Sequence, residues 1–274
     1  MTELDDRPVS VRAMTYNVRH PSPPGGPHAW ERRRGPVTTT IRFHRPDVVG
    51  LQEAFHSQVA DIRSALPAFE WLEAGRAGDE EYGDHPALGF RRERFTLEDE
   101  GSFWLSETPE TPSRGWDAAL TRLVRYARLG DAATDGTLYH FNTHFDHRGA
   151  TARAESATLL RRRIGDIAAD EPVVVTGDLN CRPGSGPYRR LTEVSAAESP
   201  RLCDAATAAR MSNHGPTTSM TTFSNLVPEK KIDYVLVDPD TTAIQHGICS
   251  DTYDDGRYPS DHLPVLADLL LSDD

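Results

Sequence analysis

Short apolar stretches recur along this chain, and several of them begin or end beside a carboxylate, an amide or an imidazole. The clearest is VVVTGDLN: Val173–Thr176 is a continuous β-branched run, the pattern of a strand covered on both faces, with Asp178 and Asn180 directly behind it. DVVGLQ at 47–52 is of the same kind and leads into Glu53. Ser10–Val18 carries Asn17 near its end in TYNVR, and Thr137–Phe145 alternates before THFDH delivers His144. Asp135-Gly136 supplies the turn ahead of that strand. Ile232–Val237 holds Asp233 within KIDYVLV, and Asp261-His262 stand just before Val265–Leu270 in PSDHLPV. Chemistry-bearing side chains thus gather where strands terminate, the usual place for a site on a sheet scaffold.

The remaining pattern fits the same scaffold. Trp30–His44 reads as helical with Pro36 in a first-turn position, and Ser57–Leu66 repeats apolar residues at Val59, Ile62 and Leu66 before stopping at Pro67. Ala150–Ile167 is the longest helical stretch. Ala87–Phe90, Phe95–Leu97, Ser102–Leu105, Leu123–Leu129 and Ala243–Ile248 add strands. Many strands with helices between only some of them imply two packed sheets with outer helices. The sequence has no internal repeat and no linker-like tract, so residues 1–274 are expected to form one domain with a core over about 10–271.

Composition narrows the partners. No run of about 18 apolar residues is present to span a membrane. The start, MTELDDRPVS, is acidic and polar, the reverse of a secretory signal, which points to a cytoplasmic chain. Cys181, Cys203 and Cys249 stand singly and are expected to be reduced structural thiols. The formal net charge is −12, and Lys230 and Lys231 are the only lysines. Such an acid excess is tolerable where salt screens self-repulsion and suggests a salt-loving origin. It opposes a broad nucleic-acid face, for which only Arg32-Arg33-Arg34 and Arg161-Arg162-Arg163 offer basic clusters; otherwise these read as solvated helix faces.

Hard oxygen donors, imidazoles and no thiolate set suit phosphate-ester chemistry with Mg²⁺ or Mn²⁺ better than a zinc protease. HExxH, a Gly-rich phosphate loop and GxSxG are all absent. TYN, LQE, THFDH, GDLN, KIDY and SDH, in this order from Asn17 to His262, resemble the endonuclease/exonuclease/phosphatase superfamily. FWLSETPETPSRGWDAA further resembles a bacterial and archaeal subgroup of it. The resemblance implies a four-layer α/β sandwich, two mixed β-sheets face to face with helices outside. It implies a metal-dependent phosphoesterase acting by in-line attack of water, with Glu53 as principal ligand and Asn17 and Asp261 beside it. Asp178 would orient the water, Asn180 would hold water or a phosphoryl oxygen, and His262 paired with Asp233 would contact phosphoryl oxygens. His144 would protonate the leaving group, and Tyr82 is the candidate for a further catalytic tyrosine.

A phosphodiester, nucleic acid ahead of lipid headgroups or small esters, is the leading substrate expectation, and a monomer the expected state. A phosphomonoesterase or lipid phosphodiesterase of the same fold, and an inactive binding module, are the alternatives. Substrate choice should reside in the loops Glu73–Pro86 and Ser106–Ala118. His20, His28 and His85 are loop histidines that stand within reach of the site motifs without an assigned role, and Asp146, His147 and Arg148 are equally well read as ordinary loop polarity.

Overall fold

The computed structural model describes residues 10–73, 84–193, 201–254 and 256–271, without the side chains of 84 and 85. In chain order the elements are β1 (Val11–Asn17), α1 (Trp30–His44), β2 (Val48–Phe55), α2 (His56–Ala65), β3 (Phe69–Leu72), β4 (Asp84–Arg91), β5 (Phe95–Trp104), β6 (Leu123–Asp131) and β7 (Gly136–His144). There follow α3 (Ala150–Ala168), β8 (Val173–Asp178), α4 (Gly186–Thr192), β9 (Cys203–Asp204), α5 (Ala205–Ala208), β10 (Asp233–Val237), β11 (Thr242–Ile248) and β12 (Val265–Leu270). They build two six-stranded sheets, ordered β11-β12-β1-β2-β4-β3 and β5-β6-β7-β8-β10-β9. Both are mixed: β1 runs parallel to β2 and β7 parallel to β8, with the other pairs antiparallel. The chain is therefore a four-layer α/β sandwich. Among the described residues no helix is long and apolar enough to cross a membrane.

Strand periodicity assigns the layers. Val11, Ala13 and Val48 of one sheet meet Leu138, Val174, Val235 and Val237 of the other in a central apolar layer. Alternate residues point outward: Met14, Tyr16, Val49 and Leu51 pack under Val37 and Ile41 of α1 and Val59 and Ile62 of α2. On the other side Phe141, Val173 and Val175 pack against Ala157, Leu160 and Ile164 of α3. Helix α1 ends where Arg45 turns left-handed at φ 51 ahead of Pro46. Phe95–Leu97 and the expected strand beginning at Ser102 are not two strands but one, β5, which ends at Trp104 and whose pairing with β6 slips between Leu97 and Asp99. The slip is a bulge, which spoils the alternation that would otherwise mark one strand.

Along the central layer the lining changes from apolar to polar. Beyond the valines lies a buried hydrogen-bonded tier: Gln52 Nε2 donates to Thr15 Oγ1 at 3.0 Å and to Asn142 Oδ1 at 2.7 Å. Thr176 Oγ1 lies 3.2 Å from Asn142 Oδ1 and 2.9 Å from His140 Nε2. Asn142 Nδ2 in turn donates to the carbonyls of Leu51 and Ala87. This tier bridges the sheets directly beneath the strand ends. It forces glycine at position 50, where a Cβ would lie 2.0 Å from Thr176 Oγ1 and 2.4 Å from Asn142 Oδ1. Gly50→Ala is expected to cost about 3 kcal/mol, the upper range for overpacking a filled interior, read as a fall in the urea midpoint. An unchanged midpoint would mean that the sheets separate there at no cost.

Candidate active site

Strand register assembles the site. His144 on β7 pairs with Asp178 on β8, and Asp178 pairs with Asp233 on β10, so three side chains stand abreast at one end of their sheet. From the facing sheet, Asn17 Nδ2 reaches across to Asp178 Oδ2 at 3.1 Å and to Glu53 Oε1 at 3.2 Å. Glu53 arrives by a bulge. Strict alternation would send it with Val49 and Leu51 into the helix-facing layer, but the β2–β4 pairing slips between Leu51 and Ala54. Glu53 takes φ 59 and turns to the cleft, while Ala54 occupies the helix-facing layer instead. Asn180, at φ 46, closes a turn in which its amide donates to Asp178 Oδ1 at 2.9 Å. Its side chain donates to the Phe145 carbonyl at 2.9 Å and lies 3.1 Å from His144 Nε2.

His262 is fixed from both sides. Its Nδ1 lies 2.9 Å and 3.1 Å from the two carboxylate oxygens of Asp233, which fixes the ring and leaves Nε2 facing the cleft, 3.8 Å from Asp178 Oδ2. Ser260 Oγ donates to the Asn17 carbonyl at 2.7 Å, tying this segment to β1. Asp261 sits at the rim, its carboxylate 3.3 Å from the Arg19 guanidinium. Arg33 holds the loops behind it. Fully buried in α1, it donates to the carbonyls of Val18, Arg19, His28 and Pro259 at 2.7–3.1 Å. The arginine cluster at 32–34 is thus not a solvated face at its middle member, which fastens the segments carrying Asn17 and Asp261.

Electrostatics differ sharply among the acids. Burial alone would raise the Glu53 carboxyl, but the His20 hydrogen bond, the His144 and His262 charges and the Asn17 amide outweigh it and hold it well below the carboxylate range. Burial raises Asp178 to about 7, reinforced by the charge of Asp233 and opposed by His262 and by the Asn180 and Asn17 hydrogen bonds. Burial works against charge on His262, yet Asp233, by charge and hydrogen bond, with Asp178 raises the imidazole to about 10. At neutral pH the centre therefore presents an ionised Glu53 and a cationic His262.

The cleft encloses about 490 Å³. Its walls bring together Glu53, His144, Asp178, Asn180, Asp261 and His262, with Asn17 and Asp233 directly behind them. Of the loop histidines that sequence places near the site, His20 lines the cleft, and Arg122 is a lining residue that sequence does not single out. His20 Nδ1 is 2.7 Å from Glu53 Oε2, so this loop histidine is a site neighbour, whereas His28 stacks on Phe223 with ring centroids 4.0 Å apart. Arg122 is 4% exposed, lines the cleft, and its Nε and Nη1 are buried without a hydrogen-bond partner among the described residues. Burial lowers its pKa. Its place immediately before β6 was the only signal available. Asp146 is a structural residue: its carboxylate accepts from the amides of Ala119, Leu120, Arg148 and Gly149, which seats Leu120 on the cleft wall beside His147. Tyr82 and most of the loop 73–86 lie outside the described residues. The loop 106–118 is described and folds on Ser106, Thr108 and Ser113, with Glu107 accepting from the Trp116 amide.

The donor set fits a hard cation. Oxygen donors predominate around Glu53, with the amide of Asn17 and the carboxylates of Asp178 and Asp261 nearby and no cysteine among the described lining residues. Positive or N–H partners already surround Glu53: Asn17 on Oε1, and His20 and Arg19 on Oε2. A bound cation would replace part of that shell. Asp178, Asp233 and His262 also bring donor atoms within 4.8 Å of one another, but both oxygens of Asp233 are engaged by His262.

Comparison with known proteins places the chain in a family. Residues 14–262 match the model described as the Endonuclease/Exonuclease/phosphatase family. The solved structure of an endonuclease/exonuclease/phosphatase from Bacteroides vulgatus is 32% identical with a TM-score of 0.90, covering 96% of this chain and 100% of that one. A Bacteroides thetaiotaomicron mannosyl-6-phosphatase is 29% identical with a TM-score of 0.87, covering 95% and 100%. An uncharacterized protein of Acanthamoeba polyphaga mimivirus is 24% identical over 161 residues, 56% of this chain and only 60% of the viral protein.

Proposed function

Because this chain belongs to the endonuclease/exonuclease/phosphatase family, we propose that it hydrolyses phosphate esters with a bound divalent cation, and that its substrate is a small phosphomonoester. The observation that carries the reaction class is the convergence on Asp178: His144 Nε2 lies 3.3 Å from its Oδ2, His262 Nε2 lies 3.8 Å from it, and Asn17 joins it to Glu53. A buried carboxylate between two imidazoles can accept a proton from water at the moment that water attacks phosphorus. Asn180 holds the opposite side of Asp178 and orients the same water. His262, kept cationic by Asp233, donates to a phosphoryl oxygen as negative charge builds on it. His144 supplies the proton that the departing alkoxide needs.

Glu53, with Asn17 and Asp261, would hold the Mg²⁺ or Mn²⁺ ion. Such an ion neutralises phosphoryl oxygens in the transition state. Chelation is expected to abolish turnover, and Glu53→Gln to weaken Mn²⁺ binding by at least about tenfold, since the variant loses the anchoring charge. Calorimetry checks this, and wild-type affinity in Glu53→Gln would remove Glu53 from the metal centre.

The phosphomonoester reading rests on the cleft rather than on the fold. A terminal phosphate carries up to two charges, and Arg19, Arg122 and Lys230 line the same small cleft as His262. Arg122 in particular has buried Nε and Nη1 groups that lack a hydrogen bond among the described residues, its Nε standing 3.9 Å from Asp146, so a phosphate could complete its guanidinium. The likeness to a mannosyl-6-phosphatase supports a sugar-phosphate class. A nucleic-acid diester, the rival substrate, would need cationic surface well beyond the cleft, on a chain of net charge −12. A panel of hexose phosphates, nucleotide diesters, DNA and RNA with Mn²⁺ separates them. Faster hydrolysis of the polymers than of every monoester would reject the monoester reading.

A further inference from the structure

We propose that His44 and Cys249 form a second metal site, taking one thiophilic divalent cation of the zinc class, on ground that the catalytic cleft does not touch. His44 is the last residue of α1, and Cys249 directly follows β11. Neither lines the cleft. Cys249 Sγ and His44 Nδ1 are 3.8 Å apart. That is long for a thiol hydrogen bond to nitrogen, but a tetrahedral ion with ordinary zinc–sulfur and zinc–nitrogen bonds sets its two ligands roughly 3.6 Å apart. One ion therefore fits between them with little movement.

The other imidazole nitrogen is already oriented. His44 Nε2 lies 2.7 Å from Asp251 Oδ2, the carboxylate–imidazole arrangement that fixes a metal-binding tautomer. Donor atoms of all three residues lie within 4.8 Å of one another. The backbone around them is anchored: the Cys249 amide donates to the Pro264 carbonyl at 2.8 Å, and Arg12 Nη1 donates to the His44 carbonyl at 3.2 Å. Cys249 is 5% exposed, while the side chains of His44 and Asp251 are 21% and 38% exposed. Water can thus complete the coordination from the open side. Sulfur and nitrogen donors select zinc-like ions over magnesium, whereas the oxygen-rich cleft prefers the reverse, so the two sites would fill independently. An ion here would fasten the end of α1 to the segment that runs on to Asp261 and His262.

The test titrates the full-length protein, reduced and metal-free, with Cd²⁺ and Co²⁺, following thiolate-to-metal charge-transfer absorption in the ultraviolet. One equivalent should produce the band, and Zn²⁺ should remove it where Mg²⁺ does not. Cys249→Ser should abolish it, while Cys181→Ser, Cys203→Ser and Glu53→Gln keep it. Asp251→Asn should weaken binding by about 10–100-fold, the range for loss of an orienting carboxylate. His44→Gln, which retains the thiol, should weaken it by at least tenfold and guards against misfolding of the serine variant. No band in the wild type, or a band that survives Cys249→Ser or is unmoved by His44→Gln, overturns the site.

Discussion

Asp178→Asn is expected to lower kcat by about 10²–10⁴-fold, the range for losing a general base, with little change in KM. The amide keeps the shape and can still accept from the Asn180 amide, at 2.9 Å in the wild type. What disappears is the capacity to take a proton from the attacking water. The variant's Nδ2 would meet the Asn17 amide where Oδ2 accepts in the wild type, at 3.1 Å. Burial and the neighbouring Asp233 push Asp178 up to about 7, above its unfolded value, so its ionisation opposes folding as pH climbs from the ordinary carboxylate range toward 7. The variant lacks that penalty, so its Tm relative to the wild type should rise from acid to neutral pH. A kcat loss below tenfold would assign the proton acceptor to another residue.

The two cleft histidines should separate by leaving group. His262 bonds through Nδ1 to both oxygens of Asp233, and in the proposed reaction its Nε2 contacts the phosphoryl group, a contact needed whatever leaves. His144, facing Asn180 and Asp178, is the proposed donor of a proton to the leaving oxygen. His262→Ala is therefore expected to slow nitrophenyl phosphate and an alkyl phosphate alike, by about 10²–10³-fold, as for removal of one oxyanion donor. His144→Ala should slow the alkyl phosphate by about 10²-fold or more, yet spare the nitrophenyl ester, whose leaving group departs without a proton. Four rates decide the matter. Equal losses for His144→Ala on both esters would make it a phosphate contact instead of the acid.

Much of the scaffold was legible because its signals are local. A β-branched run at Val173–Thr176 names a covered strand, Trp30–His44 shows its helix by spacing, and six short motifs at strand ends name the family. Strand β3 was missed because FEWL is too brief to show alternation against its surroundings. Other features depend on what lies across the sandwich. Arg33 looks like its neighbours Arg32 and Arg34, and only packing reveals that carbonyls from residues 18, 19, 28 and 259 surround it. The tier of Gln52, Asn142, Thr176 and His140 likewise joins residues from opposite sheets. Glu53 was singled out from its motif, but the bulge that aims it is a property of the β2–β4 pairing.

The order of strands in the first sheet has a consequence for how activity emerges during synthesis. β1, the first described strand, pairs on one side with β12, the last, so its sheet cannot close until residues 265–270 are available. Contacts of such sequence separation form late, after their loop-closure entropy is met. Asn17 waits for the Ser260 hydroxyl, and Arg33 for the Pro259 carbonyl, so the catalytic centre is complete only when both ends of the fold have met. A nascent chain arrested short of residue 259 would carry Glu53, His144, Asp178 and Asp233 and still lack the imidazole that answers Asp233. If the proposed hydrolysis holds, a turnover assay on a released chain counts only molecules in which β1 and β12 have joined.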